Sequence, residues 1–166
     1  MISEMLKFLR EEYPTLSDTN ARLLVGQSRY ETGNWTSRFF KEGNNLFGIL
    51  FVGQPQASGF ILRTSDKYRF AKYDNWKNSI RDRMRLYRIK YPHIVGSDDV
   101  NKILDTWLYD YLGRNASSKL KSQYKAGVIS LTPKIASGNP DEKKNPKSGS
   151  TIVLALIISI LWISLN

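Results

Sequence analysis

Apolar residues recur along this chain with two rhythms, one near 3.6 residues and one near 2, and the changes of rhythm mark its elements. Met5, Leu6 and Leu9 fall at helical spacing, and Pro14 ends that segment. Ser17 followed by Asp18 reads as a helix cap, and Ala21, Leu24, Val25 and Ser28 form the inward stripe of the helix it opens. Gly33 is its natural stop. The Gly-, Asn- and Pro-containing stretch from Gly43 to Gly59 cannot be one helix. Gly59 to Arg63 and Lys67 to Tyr73 read as two short strands around Thr64-Ser65-Asp66. From Asn75 a helix carries Trp76, Ile80, Met84, Tyr87 and Tyr91 on one stripe, with Arg81, Arg83, Arg85, Arg88 and Lys90 off it, and Pro92 stops it. Val100, Ile103, Leu104, Trp107, Leu108 and Tyr111 mark another helix after Ser97-Asp98-Asp99. A shorter one is expected over Ala116 to Ala126. Many helices around one hairpin predict a mainly α (α+β) domain with a small β lobe.

The chain divides into three parts. Residues 1–131 form the globular domain. Residues 132–150 hold three prolines, two glycines and several charges, a composition that reads as a tether. Thr151 to Leu165 carries no charge in 15 residues. As a helix it would span ~22 Å, a marginal membrane crossing or anchor, apolar on every face and with Trp162 near one end. A buried core helix is the competing reading of that segment. The charged N-terminal residues contain no uninterrupted apolar stretch of signal-peptide type.

Composition narrows the chemistry. The chain has no cysteine and one histidine, His93. Disulfides, thiolate zinc sites, cysteine nucleophiles and multi-histidine metal sites are thereby excluded. No Gly-x-Ser-x-Gly elbow is present to supply a serine nucleophile. No cofactor is expected. The net charge is +10, of which +8 falls before residue 134, so the domain itself favours polyanionic partners: nucleic acid, an anionic membrane surface or cell-wall polymer.

One acidic residue has an unusual position. Glu31 lies three residues beyond Ser28, on or beside the inward stripe, at the helix C-terminus. Partial burial and the helix dipole both raise a carboxyl pKa, as a general acid working near neutrality requires. Asp66, at the expected hairpin tip, is the one acidic residue between Asn44 and Lys72; a turn aspartate is its simplest role.

The run Gln27-Ser-Arg-Tyr-Glu31-Thr-Gly-Asn-Trp35, then Asn45-Leu-Phe47-Gly-Ile49, then Tyr73-Asp-Asn-Trp76 with Ser79-Ile80 and Asp82, resembles the bacterial glucosaminidase family of peptidoglycan hydrolases. The resemblance covers about residues 20–90. It implies a lysozyme-like fold that cleaves peptidoglycan glycan strands, with Glu31 as the general acid facing a groove between the α lobe and the hairpin. It also implies a second catalytic group in the β lobe. Family members often carry a glutamate there; this chain offers Asp66 as the candidate, or else the substrate's own 2-acetamido or 6-hydroxyl group, as in substrate-assisted hydrolases and lytic transglycosylases. Asn45, Phe47 and Tyr73 are candidate sugar contacts, although each also suits a purely structural role. The family's groove tyrosine maps to Tyr111, with Tyr109 and Tyr124 as competitors. The expected partners are peptidoglycan glycan strands and, through the C-terminal segment, a lipid membrane.

Two other classes compete. A nucleic-acid-binding module would use the basic helix around Arg81 to Lys90, but no recognised binding motif accompanies it, and no specific nucleic acid is expected. A non-catalytic, membrane-anchored wall-binding protein would have little use for Glu31 within its motif. Lys143, Lys144 and Lys147 precede the apolar segment, so the positive-inside rule puts the domain on the cytoplasmic side. For a wall-degrading enzyme that fits the internal membrane of a bacteriophage virion; a bacterial cell-envelope enzyme is the other expectation.

Overall fold

The structure, a computed structural model, describes residues 1–113 and 115–134, without the side chains of Asp110 and Tyr111. Helix α1 (Ile2–Glu12) buries Met5, Leu6, Phe8 and Leu9. Helix α2 (Asp18–Glu31) begins at the expected cap, where Ser17 Oγ accepts the Asn20 N–H at 3.1 Å. Its inward stripe, Ala21, Leu24, Val25 and Ser28, is buried. A short helix α3 (Arg38–Gly43), capped by Ser37, was not legible as a separate element, since six residues are too few to display a period.

Strands β1 (Gly59–Leu62) and β2 (Arg69–Lys72) pair antiparallel, with Phe60 opposite Ala71 and Ile61 opposite Phe70. Residues 49–51 lie along the other edge of β2: Phe51 N–H donates to Arg69 O and Ala71 N–H to Ile49 O, each at 2.8 Å. Helix α4 (Trp76–Lys90) is capped by Asn75, and a 3₁₀ turn over Pro92–Ile94 follows it. Helix α5 (Val100–Leu112) is capped by Asp99 and helix α6 (Ser118–Leu131) by Ser117. The last helix is longer than the expected Ala116–Ala126 and set further along the chain. The described residues are therefore mainly helical with one two-stranded sheet. The tether beyond Lys134 and the apolar segment 151–165 lie outside them; among the described residues no helix is long and apolar enough to cross a membrane.

One core joins the helices, with Met5, Leu9, Leu24, Val25, Leu46, Ile80, Met84, Ile103, Leu104 and Trp107 at its centre. The α4 stripe packs as its spacing predicts, Trp76 resting edge-on against Phe8 with ring centres 5.7 Å apart. Two α4 residues depart from the amphipathic reading. Arg83, placed off the stripe above, is 3% exposed, and Asp82 is fully buried. Asp82 accepts from Tyr73 Oη at 2.8 Å, from Gln54 Nε2 at 3.0 Å and from the Arg85 guanidinium at 3.0 Å. The buried carboxylate thus ties the loop around Gln54 and the exit of β2 to α4 with each of its oxygens hydrogen-bonded.

Helices α2 and α6 touch at two glycines. A Cβ built on Gly26 would lie 2.2 Å from Thr132 Oγ1 and 2.8 Å from Val128 O; one on Gly127 would lie 2.1 Å from Cε2 of Tyr30. Arg29 Nη1 donates to Leu131 O at 2.7 Å and Arg22 Nη1 to Lys134 O at 2.8 Å, closing the lower end of the same seam.

Helix propensity alone would make Gly26→Ala stabilising by about 1 kcal/mol. The contact with the Val128 carbonyl, which cannot rotate away, reverses the sign. We expect Gly26→Ala to destabilise the protein by about 1–3 kcal/mol, the range typical of overpacking, read as a lower urea midpoint at unchanged slope.

Candidate active site

Glu31 is the last residue of α2, and the chain leaves it through an unusual turn. Thr32 caps the helix, its Oγ1 donating to Ser28 O at 2.6 Å. Gly33, Asn34 and Trp35 then follow with φ of 56°, 59° and 66°, three successive residues in the left-handed region. Glycine adopts that region freely and asparagine tolerates it; for tryptophan it is strained. Side-chain contacts hold the strain in place. Trp35 N–H donates to Thr32 Oγ1 at 2.8 Å, Trp35 Nε1 to Ser28 Oγ at 3.2 Å, and Arg29 Nε to Asn34 Oδ1 at 2.8 Å. The turn sends the chain away sharply and leaves Glu31 at the open end of its helix.

Three residues from three helices form a hydrogen-bonded line ending at Glu31. Tyr124 Oη, on α6, donates to Glu31 Oε1 at 2.9 Å. Gln27 Nε2, one helical turn before Glu31, donates to Tyr124 Oη at 2.9 Å. Arg83 Nη2, on α4, approaches Gln27 Oε1 at 3.4 Å. Gln27 is fully buried and Tyr124 nearly so, and the Tyr124 ring meets that of Tyr30 edge-on at 5.2 Å.

The electrostatic consequence falls on the acid. Glu31 keeps part of its surface open to solvent, yet its carboxyl is enclosed enough that loss of hydration pushes its pKa up to about 7. The Tyr124 hydrogen bond and the Arg83 charge oppose that rise without cancelling it.

The remaining candidates occupy other places. Asp66 is exposed at the hairpin tip, where its carboxylate pairs with the Arg63 guanidinium and accepts the Tyr68 N–H at 3.2 Å. That pairing holds its pKa below the usual carboxylate range. Its partners belong to the hairpin itself, the turn role that the sequence suggested. Asn45, Phe47 and Tyr73, candidate sugar contacts in the sequence, are buried in the described structure. Asn45 is fully buried, its Nδ2 donating to Ile49 O and Ala71 O and its Oδ1 accepting the Phe47 and Ile49 N–H groups. Phe47 is 1% exposed in the core, and Tyr73 is fully buried on Asp82.

Among the competing tyrosines, Tyr124 is the one bonded to Glu31; Tyr109 is half exposed, and the side chain of Tyr111 lies outside the described residues. Sequence reasoning ranked Tyr124 behind Tyr111, and its last helix, ended at Ala126, left out Val128. Extended to Leu131, Leu120, Tyr124 and Val128 form an inward stripe that singles the tyrosine out. Gln27 opens the recognisable motif but was given no role there, and Arg83 carried no signal.

A buried acid with a raised pKa has a stability signature. The folded state binds the Glu31 proton more tightly than the unfolded chain, so stability is lost as pH rises from about 4.5 through about 7. Glu31→Gln keeps the acceptor for Tyr124 and removes the charge. We expect the variant to be more stable than the parent at pH 8, by up to about 3 kcal/mol, with the difference vanishing near pH 4; thermal melts at both pH values check this.

Comparison with known proteins adds a second line. The family model described as mannosyl-glycoprotein endo-beta-N-acetylglucosaminidase matches residues 10–137. A solved structure, that of a type VI secretion system effector–immunity complex from Pseudomonas protegens, aligns with a TM-score of 0.48 at 15% identity, covering 76% of this chain and 92% of that one. No curated protein sequence matches. The matched stretch of the family model takes in most of the described domain, including the Glu31 turn, the hairpin and the helix that carries Tyr124, and on that extent the chain belongs to the Glucosaminidase family of glycosidases.

Proposed function

We propose that this protein cleaves the glycan strand of peptidoglycan at N-acetylglucosamine linkages, with Glu31 as the general acid on a lysozyme-like scaffold. The observation that carries this reading is the Glu31 carboxyl itself: desolvated, hydrogen-bonded by Tyr124 and holding its proton up to about pH 7. Glycoside cleavage needs such a proton at the leaving oxygen as the ring acquires oxocarbenium character. The Tyr124 bond occupies Oε1 and leaves Oε2 to deliver the proton.

The second group is the open half of the mechanism. Asp66 is committed to Arg63 at the hairpin tip, which favours assistance by the sugar's own 2-acetamido or 6-hydroxyl group. Attack by the 6-hydroxyl would give an anhydro-sugar product of lytic-transglycosylase type, the second reading on the same fold. The nucleic-acid reading loses support from α4. Arg81 pairs with Glu12 at 2.6 Å, Arg85 with Asp82 at 3.0 Å, Arg83 is buried, and the Arg88 guanidinium lies 4.9 Å from the Tyr13 ring centre. The uncharged run from Thr151 to Leu165 supports attachment of the enzyme to a membrane, of a virion or of a bacterial envelope, through the 132–150 tether.

Glu31→Gln should lower the rate of murein clearing by about 100- to 10,000-fold, the usual contribution of a general acid, with circular dichroism unchanged. In the parent enzyme kcat/KM should fall about tenfold per unit as pH rises beyond about 7, because only the protonated carboxyl works. Near-parental clearing by Glu31→Gln would remove the assignment.

Asp66→Asn should retain measurable clearing, since its charge serves the hairpin. Mass spectrometry of the products distinguishes water addition from anhydro-sugar formation. Loss of all activity in a folded Asp66→Asn variant, with reducing-end products from the parent, would instead point to a two-carboxylate mechanism.

A further inference from the structure

The Glu31 site includes a charged group that the acid role does not explain. Arg83 is 3% exposed, and its guanidinium carbon lies 5.7 Å from the ring centres of both Tyr87 and Trp107. Burying a guanidinium forfeits its hydration, and contact with aromatic faces returns only part of that loss. A residue needed only to fill this space would serve better as leucine or methionine.

The chemistry of donors and acceptors gives Arg83 a direction. A guanidinium can only donate. Facing Gln27 at 3.4 Å, it selects the oxygen end of that amide and turns the NH₂ end toward Tyr124. Gln27 Nε2 must then donate to the phenolic oxygen, and the phenolic proton is directed to Glu31 Oε1. With the amide reversed, Gln27 would offer an oxygen to Tyr124 and draw that proton away from the acid.

We propose that Arg83 is a positioning residue: through Gln27 it makes Tyr124 a one-way donor to Glu31 Oε1, so that the proton given to the glycosidic oxygen resides on Oε2. Arg83 reaches the acid through Gln27 and Tyr124, and by its charge. It orders the line Arg83–Gln27–Tyr124–Glu31, which crosses from α4 through α2 to α6 and back to the end of α2. Among the described residues, the groups that face Glu31 are Tyr124 from α6, the Arg83 charge from α4 and Tyr30 beside it on α2. This assignment rests on Glu31 being the acid.

The test reads Glu31 directly, by ¹³C NMR titration of its carboxyl in the full-length chain, alongside murein-clearing kinetics. Arg83→Leu should move the Glu31 titration upward by about one pH unit, the size of effect expected for loss of a nearby opposite charge and of a hydrogen bond to the ionised form. It should lower kcat with KM unchanged. Arg83→Lys, which also only donates, should titrate near the parent. An unmoved Glu31 in folded Arg83→Leu, or an equal displacement in Arg83→Lys, would overturn the proposal. Should Arg83→Leu fail to fold, Gln27→Glu decides: its carboxylate can only accept, so it should capture the Tyr124 proton and raise the Glu31 titration, and an unchanged or lowered titration would overturn the relay. Failure of the acid assignment is separate, since it shows as undiminished clearing by Glu31→Gln whatever the titrations give.

Discussion

Two helices in this domain approach more closely than side chains larger than hydrogen would allow, and the candidate site depends on that approach. Gly26 of α2 accepts the Val128 carbonyl and Thr132 against its backbone, and Gly127 of α6 accepts the Tyr30 ring. With bulkier residues at both places α6 would stand further from α2. The Tyr124 hydroxyl, now 2.9 Å from both Glu31 Oε1 and Gln27 Nε2, would lose one or both contacts. Helix packing and acid placement are thus one constraint: the seam that completes the core also brings a hydrogen-bond donor to a carboxyl that burial alone would leave unsupported.

The polar residues of the recognisable motifs serve largely inside the fold. Asn45 behaves as a small hub, its amide joining the loop after α3 to β2. Ser79 accepts the Leu46 N–H at 3.0 Å, and Asp82 gathers Tyr73, Gln54 and Arg85. Burying such groups is worthwhile only when every lone pair and proton is matched, and a matched network specifies one arrangement of the loop and hairpin more sharply than apolar packing would. A motif rich in Asn, Tyr and Asp invites a reading as a sugar-binding surface; here those residues lie inside the fold.

That explains which parts were legible beforehand. Helix starts were, because Ser17, Asn75 and Asp99 announce themselves by local chemistry that tertiary structure seldom overrides. The hairpin was, because Gly59 to Leu62 and Arg69 to Lys72 flank a polar turn. Glu31 was, because it combines a stripe position with a helix end. The direction in which Asn45 and Tyr73 face was not, since nothing in a linear pattern says whether a polar side chain meets solvent or a backbone carbonyl from a distant element. Nor was Arg83: on an amphipathic helix a cation off the apolar stripe reads as solvated, and only the placement of Trp107 and Gln27, from other helices, makes a buried berth for it. The extent of α6 was missed too: its last turns contain Gly127, whose place against Tyr30 is set by the other helix and not by its own sequence.

The arginine staples at the end of the domain bear on mechanics. Arg22 and Arg29, both on α2, hold the carbonyls of Lys134 and Leu131 at 2.8 Å and 2.7 Å. A pull applied to the chain beyond residue 134 therefore enters the domain along the helix that carries Glu31, at the foot of the seam with α6. Tension would load the Lys134 bond first, then the Thr132 packing on Gly26 and the Leu131 bond, before it reached the Tyr124 hydroxyl further up. The two arginines thereby make the end of the described domain and the helix that carries Glu31 mechanically one piece, the staples acting as strain relief.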